Sequence, residues 1–100
     1  MSERDYIIIL YDYYGDLFND RQKELFELYY FDNLSLGEIS ENLQISRNAI
    51  HKTIKLIVNK LFFYEDRLKF YSKSNKILDV VNDIDDDMIK NKIIDILKEE

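Results

Sequence analysis

The sequence predicts an all-α protein, and three observations support this prediction. The 100 residues include no proline and only two glycines, whereas β-sandwiches and barrels need many turns that usually contain these residues. Apolar residues make up 46% of the chain, which excludes a disordered protein and suffices for the core of one domain. Along most of the chain these residues recur at intervals of three and four, which is the spacing of an amphipathic helix.

The first two helices are predicted from this spacing together with capping residues. A first helix over residues 3–14 would end at Gly15, although its run of three isoleucines would also suit a strand. Its apolar stripe consists of Ile7, Leu10, Tyr11 and Tyr14. A second helix would begin at Asn19, which Gln22 complements in a capping box, and would end near residues 32–33.

Two serines that lie eleven positions apart predict a helix-turn-helix. Ser35 and Glu38 are spaced as a capping box at the start of a short helix over residues 36–43. Ser46 is placed to cap the next helix. Between them, Ser40 supplies the small residue at which two helix backbones can approach. The apolar residues predicted to face inward are Leu36, Ile39 and Leu43, with Ile45 beneath the turn.

The turn between these two helices requires one residue in the left-handed conformation. Gln44 occupies that position. For any residue other than glycine, this conformation costs on the order of 1 kcal/mol of conformational free energy. This strain is tolerable, so the motif is retained.

The second helix of the motif would present side chains that suit DNA. Those predicted to point outward are Arg47, Asn48, His51, Lys52 and Lys55. Such residues contact phosphates and base edges, and the capping serines Ser35 and Ser46 are included in the candidate surface because helix starts can hold phosphates. Ala49, Ile50 and Ile54 are predicted to point inward. The alternative is a set of packed helices with a solvated basic face.

Beyond this motif, apolar residues from Ile50 to Tyr71 alternate at intervals of four and three. The pattern predicts a single helix of roughly 25 residues, then a break at residues 72–75 and two shorter helices. Those helices are marked by Ile77, Val81 and Ile84, and by Ile89, Ile93, Ile96 and Leu97. The predicted organisation is a helix-turn-helix domain over 1–73 and a helical extension over 74–100.

The second half of this apolar seam is longer than a compact motif needs. An exposed seam of this kind would leave a large apolar patch on a monomer. We therefore expect a homodimer, which would place two recognition helices side by side. The predicted interface residues are Leu61, Tyr64, Leu68 and Tyr71.

Charge is distributed unevenly along the chain. The net charge is −6, which argues against a generic nucleic-acid binder. Residues 1–45 carry three basic and ten acidic side chains, and residues 77–100 carry three and eight. Residues 46–76, by contrast, carry eight basic and two acidic side chains. The basic segment begins at the second capping serine, which favours a localised contact with an anionic partner.

Composition excludes several classes of site. The chain has no cysteine and one histidine, His51, so disulfides and zinc sites built on cysteine are excluded and no metal is expected. The four aspartates within residues 83–87 lack the glycine and final glutamate of an EF-hand and are predicted to cap a helix. No phosphate loop or catalytic triad is present, so neither an enzyme nor a cofactor is predicted. The apolar run at residues 6–11 is too short to span a bilayer, and a cytoplasmic protein is expected.

The stretch FNDRQKELFELYYFDNLSLGEISENLQISRNAIHKTIKLIVNKL, residues 18–61, resembles region 4 of bacterial sigma factors. More closely, the chain resembles the YlxM family of small bacterial helix-turn-helix proteins, which LYDYYGDLFNDRQ and YEDRLKFY also match. The resemblance covers about residues 8–71. It implies an all-helical, DNA-binding-like domain with a long helix that supports dimers, and a link to the signal recognition particle pathway.

Two functions therefore stand as hypotheses. The first is a dimeric regulator that binds duplex DNA through the helix-turn-helix of residues 35–60. The second is an adaptor that does not bind DNA and instead contacts a protein or RNA component of the signal recognition particle pathway. The acidic ends of the chain lower non-specific affinity for DNA and are compatible with both.

Overall fold

The computed structural model describes residues 1–99, which form six α-helices joined by short links. The helices are α1 (Glu3–Tyr14), α2 (Asp20–Tyr30), α3 (Leu36–Leu43), α4 (Arg47–Leu68), α5 (Phe70–Val81) and α6 (Asp87–Leu97). A single 3-10 turn, Gly15–Leu17, follows α1, and residues 1–99 contain no strand. The predicted all-α class is confirmed. The chain divides into two units, Met1–Arg67 and the residues from Leu68 onward.

Helices α2 and α3 begin at the positions predicted from their capping residues. The Asn19 side chain accepts a hydrogen bond from the Gln22 N–H at 2.8 Å, and the Gln22 side chain accepts one from the Asn19 N–H at 2.9 Å. Ser35 and Glu38 form the same reciprocal pair at 3.1 Å in both directions. Both capping boxes are confirmed, and each satisfies two N–H groups that a helix start would otherwise leave unpaired.

Helix α1 is held against the other helices of the first unit by aromatic side chains. The Tyr11 ring stacks on the Phe26 ring of α2, with ring centres 4.0 Å apart. The Tyr14 hydroxyl donates a hydrogen bond of 2.6 Å to the carboxylate of Glu65, which lies in the C-terminal half of α4 and is only 8% exposed. Helix α1 therefore joins α2 to α4, and the strand alternative for its isoleucines is not realised.

Arg4 ties the start of α1 to the end of α2. Its guanidinium donates hydrogen bonds to the Tyr30 carbonyl at 2.7 Å and to the Asn33 side chain, and it lies over the Tyr30 ring. Asn33 has a left-handed backbone with φ of 56°, which asparagine tolerates better than most residues. A cation at a helix C-terminus is stabilised by the helix dipole, so Arg4 strengthens the turn that precedes the helix-turn-helix.

Two tyrosines in this region, Tyr11 and Tyr30, have raised pKa values. Burial, reinforced by the hydrogen bond to Glu27, raises the pKa of Tyr11 well above its ordinary value. Burial also raises the pKa of Tyr30, although the charge of Arg4 opposes that effect. Both hydroxyls therefore stay neutral at physiological pH and belong to the packing of the scaffold.

The sequence predicted one helix from Ile50 to Tyr71, and this prediction is wrong at the C-terminal end. Helix α4 ends at Leu68, because Lys69 adopts a left-handed conformation with φ of 58°. Helix α5 then runs without interruption through residues 72–75, where the break was predicted. The apolar spacing is the same on both sides of Lys69, so periodicity alone does not locate a helix end that depends on the backbone conformation of one residue.

In the second unit, α5 and α6 pack on each other. Asp86 caps α6 by accepting hydrogen bonds from the Met88 and Ile89 N–H groups, which confirms the capping role predicted for this acidic segment. Among the residues that marked these two helices in the sequence, Val81 is buried, whereas Ile77, Ile89 and Ile96 are exposed. The boundary between the compact units falls at residues 67–68, whereas the sequence placed a domain boundary at 73–74.

Candidate nucleic-acid interface

The helix-turn-helix is formed by α3, a three-residue turn and α4. Gln44 adopts the left-handed conformation that the sequence predicted, with φ of 57° and ψ of 42°. Its side-chain amide donates a hydrogen bond of 2.8 Å to the carbonyl of Glu41, one of the last carbonyls of α3. This bond satisfies an otherwise unpaired group at the helix end. It offsets part of the strain of a non-glycine residue in this position.

Helix α4 begins at the second predicted serine. The Ser46 hydroxyl oxygen accepts a hydrogen bond from the Ala49 N–H at 3.2 Å, and the Ser46 carbonyl accepts one from the Ile50 N–H. The predicted cap is confirmed. The hydroxyl hydrogen remains a donor, so Ser46 can cap the helix and donate to an anion at the same time.

The two helices of the motif share one core with α2. Leu25 of α2, Ile39 of α3, and Ile50 and Ile54 of α4 are buried together. Partly buried residues pack around them, namely Leu28, Tyr29, Tyr30, Leu34, Leu36, Leu43, Ile45 and Val58. Ser40 is half-buried on α3. The inward positions predicted for this motif are therefore confirmed, with the exception of Ala49, which is exposed because it lies on the side of the first turn away from Ile50.

The outward face of α4 carries the predicted polar and basic residues. Arg47, Asn48, His51, Lys52 and Lys55 are all exposed. Residues 48, 51, 52 and 55 lie three and four positions apart and therefore share one helix face. A shallow open depression at its start is lined by Ser46, Asn48, Ala49, His51 and Lys52. The structure thus brings together one hydroxyl, one amide, one imidazole and one ammonium group on the first two turns of α4.

The charged side chains on the outward face of the first two turns of α4 are all basic. The first two turns of α4 contain no acidic residue. The nearest carboxylates along the chain belong to α3, and that of Glu38 already accepts the hydrogen bond from the Ser35 N–H. Ser35, predicted as part of the surface, is exposed at the start of α3 and uses its hydroxyl oxygen to accept from the Glu38 N–H.

Arg47 departs from the expectation that it points freely outward. Its guanidinium lies against α3 at Gly37, where a Cβ atom added to the glycine would be 2.8 Å from Nη2 and 3.0 Å from Cζ. Gly37 was not predicted as a functional residue. The available signal was a glycine inside a well-capped helix, where glycine is unfavourable.

The four predicted dimer residues do not form one exposed seam. Leu61 is 0% exposed and belongs to the core of the single chain. Tyr64 packs against the rings of Tyr14 and Phe18 at centre distances of 5.9 and 6.1 Å. Tyr71 is half-buried, and Leu68 is 41% exposed. In this conformation Leu68 offers the most accessible surface of the four, and Leu61 offers none.

Within residues 1–99 no three or more histidine, aspartate or glutamate side chains gather closely enough to hold a metal ion. No helix of the described chain is both long enough and apolar enough to cross a membrane.

Comparison with known proteins places this geometry in a family. Residues 1–100 match UPF0122, whose description reads "Putative helix-turn-helix protein, YlxM / p13 like". A UPF0122 protein of Desulforamulus reducens is 42% identical over 89 residues, which cover 85% of this chain and 76% of that protein. A UPF0122 protein of Thermoanaerobacter sp. (strain X514) is 40% identical over 79 residues, or 79% of this chain and 68% of that protein. One from Ureaplasma parvum serovar 3 is 38% identical over 95 residues, which cover 95% of this chain and 96% of that protein. The chain therefore belongs to the UPF0122 family of helix-turn-helix proteins.

Proposed function

We propose that this protein binds duplex DNA by placing the first two turns of α4 in the major groove. One observation carries the proposal: the exposed face that begins at the Ser46 cap combines basic side chains with amide and imidazole groups and contains no acidic residue. A helix of this kind fits the major groove, where each base pair presents a distinct set of hydrogen-bond donors and acceptors.

The basic residues on this face act on the phosphate backbone. Arg47, Lys52 and Lys55 are exposed on α4. Each phosphate contact releases condensed counterions, so affinity falls steeply as salt is raised. Residues 1–45 and 77–100 carry a net negative charge, which repels DNA from these two segments.

Asn48 and His51 are the candidates for reading bases. An asparagine amide can form two hydrogen bonds with adenine in the major groove. Both residues are exposed one turn apart on the same face, and both line the depression at the helix start. Asn48→Ala should therefore relax sequence preference at one base position without changing affinity for random DNA.

The test is fluorescence anisotropy on a random-sequence duplex across a series of salt concentrations. Arg47→Ala combined with Lys52→Ala should together weaken binding by roughly 1–3 kcal/mol and flatten the salt slope by about two. The matched control is Lys92→Ala with Lys98→Ala, which changes net charge equally at exposed positions of the second unit. The control should bind like the wild type.

Equal affinities for the two double variants would contradict the proposal, because the effect would then follow net charge and not the α4 face. A wild type that binds no duplex DNA in low salt would also contradict it. In that case the adaptor hypothesis predicts that the protein binds the purified protein or RNA of the signal recognition particle.

We also propose that the protein binds DNA as a homodimer. The support is exposed apolar side chains on the C-terminal part of α4, where Phe63 and Leu68 are 54% and 41% exposed. Water-exposed apolar groups clustered along the chain favour association. A two-fold dimer would present two α4 starts to two half-sites one helical turn apart.

Sedimentation equilibrium tests the dimer. Leu68→Asp should yield a monomer, whereas Leu17→Asp, the same change at another exposed leucine, should not. Leu61 is unsuitable for this test because a charge in its fully buried position would unfold the core. A wild type that sediments as a monomer at tens of micromolar would refute the dimer.

A further inference from the structure

We propose that Gly37 is a positioning residue for DNA binding: by lacking a side chain, it provides the space in which the Arg47 guanidinium is held between α3 and α4. The proposal rests on the DNA-binding function proposed above. It adds a residue that lies outside the recognition helix and touches no DNA itself.

The backbone does not require glycine at this position. Gly37 lies in the first turn of α3, and neither glycine of the chain has positive φ. Glycine within a helix is less favourable than alanine because it loses more conformational freedom on folding. The choice of glycine therefore needs a cause other than backbone conformation.

The space beside Gly37 supplies that cause. The three atoms nearest to an added Cβ all belong to the guanidinium group of Arg47, at 2.8 Å for Nη2, 3.0 Å for Cζ and 3.4 Å for Nε. A methyl group at residue 37 would therefore clash with the Arg47 guanidinium in its present position. Since those atoms form the far end of a flexible side chain, alanine at 37 would displace the guanidinium and leave the backbone in place.

Stability does not account for a cation in this position. The start of a helix carries partial positive charge, so a guanidinium beside the first turn of α3 is not attracted by the helix dipole. Among residues 1–99, the salt bridges formed by basic side chains involve Arg21, Lys23 and Arg67, and none involves Arg47. Arg47 thus has no carboxylate partner within residues 1–99, which leaves its charge available to an anion outside the protein.

Holding the guanidinium has a direct consequence for DNA binding. A free arginine side chain loses rotamer freedom when it binds a phosphate, and that loss lowers affinity. Arg47 is the first residue of α4, and its guanidinium lies against Gly37 of α3, so the side chain spans both helices of the motif. We therefore expect Arg47 to bind one phosphate at a set position, whereas Lys52 and Lys55 bind as mobile charges.

A double-mutant cycle between Gly37→Ala and Arg47→Ala tests the proposal, with random-sequence duplex DNA as the probe. Arg47→Ala should raise the dissociation constant by about 2- to 12-fold, which is half of the free-energy loss expected of the double variant with Lys52→Ala. Gly37→Ala should raise it by a large part of the same factor, and should have no further effect when Arg47 is already alanine. Asn42→Ala, an exposed change on the same helix, should leave the dissociation constant unchanged.

The thermal unfolding of Gly37→Ala separates positioning from folding. Because alanine favours the helix and the displaced group is flexible, this variant should melt at or above the temperature of the wild type. Gly37→Ala that binds DNA like the wild type would overturn the proposal, and so would an equal loss of affinity in the presence and absence of Arg47.

A readout without DNA keeps this inference distinct from the proposed function. The Nε–H signal of Arg47 in a ¹⁵N NMR spectrum should shift in Gly37→Ala and show faster internal motion. An unchanged signal would overturn the positioning role even if the wild type binds DNA. A shifted signal in a protein that binds no duplex would leave the positioning intact and refute only the DNA-binding function.

Discussion

Removing the Tyr14 hydroxyl should destabilise the protein without changing its affinity for DNA. This hydroxyl donates a hydrogen bond of 2.6 Å to a carboxyl oxygen of Glu65, within the range of O–H···O bonds. Tyr14 is 1% exposed and Glu65 is 8% exposed, so water replaces the missing donor poorly. Removing one partner of a buried hydrogen bond costs about 1–3 kcal/mol. Tyr14→Phe keeps the ring, and hence its packing, so we expect the free energy of unfolding to fall by about that amount.

Urea denaturation followed by circular dichroism measures this decrease. The slope of the unfolding free energy against urea concentration should stay unchanged. Tyr29→Phe is the matched control, since it deletes the same atom from a half-buried tyrosine whose hydroxyl forms no side-chain hydrogen bond within the described chain. We expect the control to lie within about 0.5 kcal/mol of the wild type. Glu65 lies ten residues beyond Lys55 on α4, roughly 15 Å along the helix axis, so DNA affinity should not change. A decrease no larger than that of the control would refute the assigned role of this hydrogen bond.

Three further predictions follow from the scaffold. Ser46→Ala removes the acceptor of the Ala49 N–H and should lower the free energy of unfolding by about 1 kcal/mol, whereas an unchanged melting temperature would mean that the cap contributes nothing. Ser40→Phe should overpack the half-buried crossing of α3 and cost on the order of 1–3 kcal/mol in the same assay, and a neutral result would place the helix crossing elsewhere. Because burial raises the pKa of Tyr11 above its value in the unfolded chain, the folded protein holds this proton more tightly. The resulting stabilisation is fully present below about pH 10 and is lost as the pH rises above it. Tyr11→Phe should therefore make the decline of stability at alkaline pH less steep, and an identical decline would contradict the assignment.

The helix starts and the helix-turn-helix could be predicted from the sequence because their causes are local. A capping residue bonds N–H groups two or three positions away, as Asn19 and Ser35 do, so residue type and spacing are sufficient information. The same holds for the left-handed turn at Gln44, which is required by the distance between the two caps. The exposed face of α4 follows from its helical period once Ile50 and Ile54 are assigned to the core.

The outcomes that sequence reasoning missed depend on residues far apart in the chain. Glu65 is polar and falls on the apolar side of α4, and only the approach of Tyr14, 51 positions earlier, explains its burial. Leu61 fits a dimer seam equally well by its spacing, yet it is fully buried within one chain. Periodicity states that a residue faces an apolar environment, but it does not state whether the same chain or a second one supplies it.

The sequence by itself thus determined the class of fold, the helix starts, the helix-turn-helix and the residues exposed on its second helix, because these depend on interactions within a few positions. Tertiary structure alone decided where α4 ends, since the left-handed backbone of Lys69 follows no local signal. It also decided what Gly37 accommodates, since the Arg47 guanidinium reaches it only when α3 and α4 are packed together. The physical reason in the case of Gly37 is that the space between two helices is set by the packing of whole helices, whereas local residue preferences extend over only a few positions.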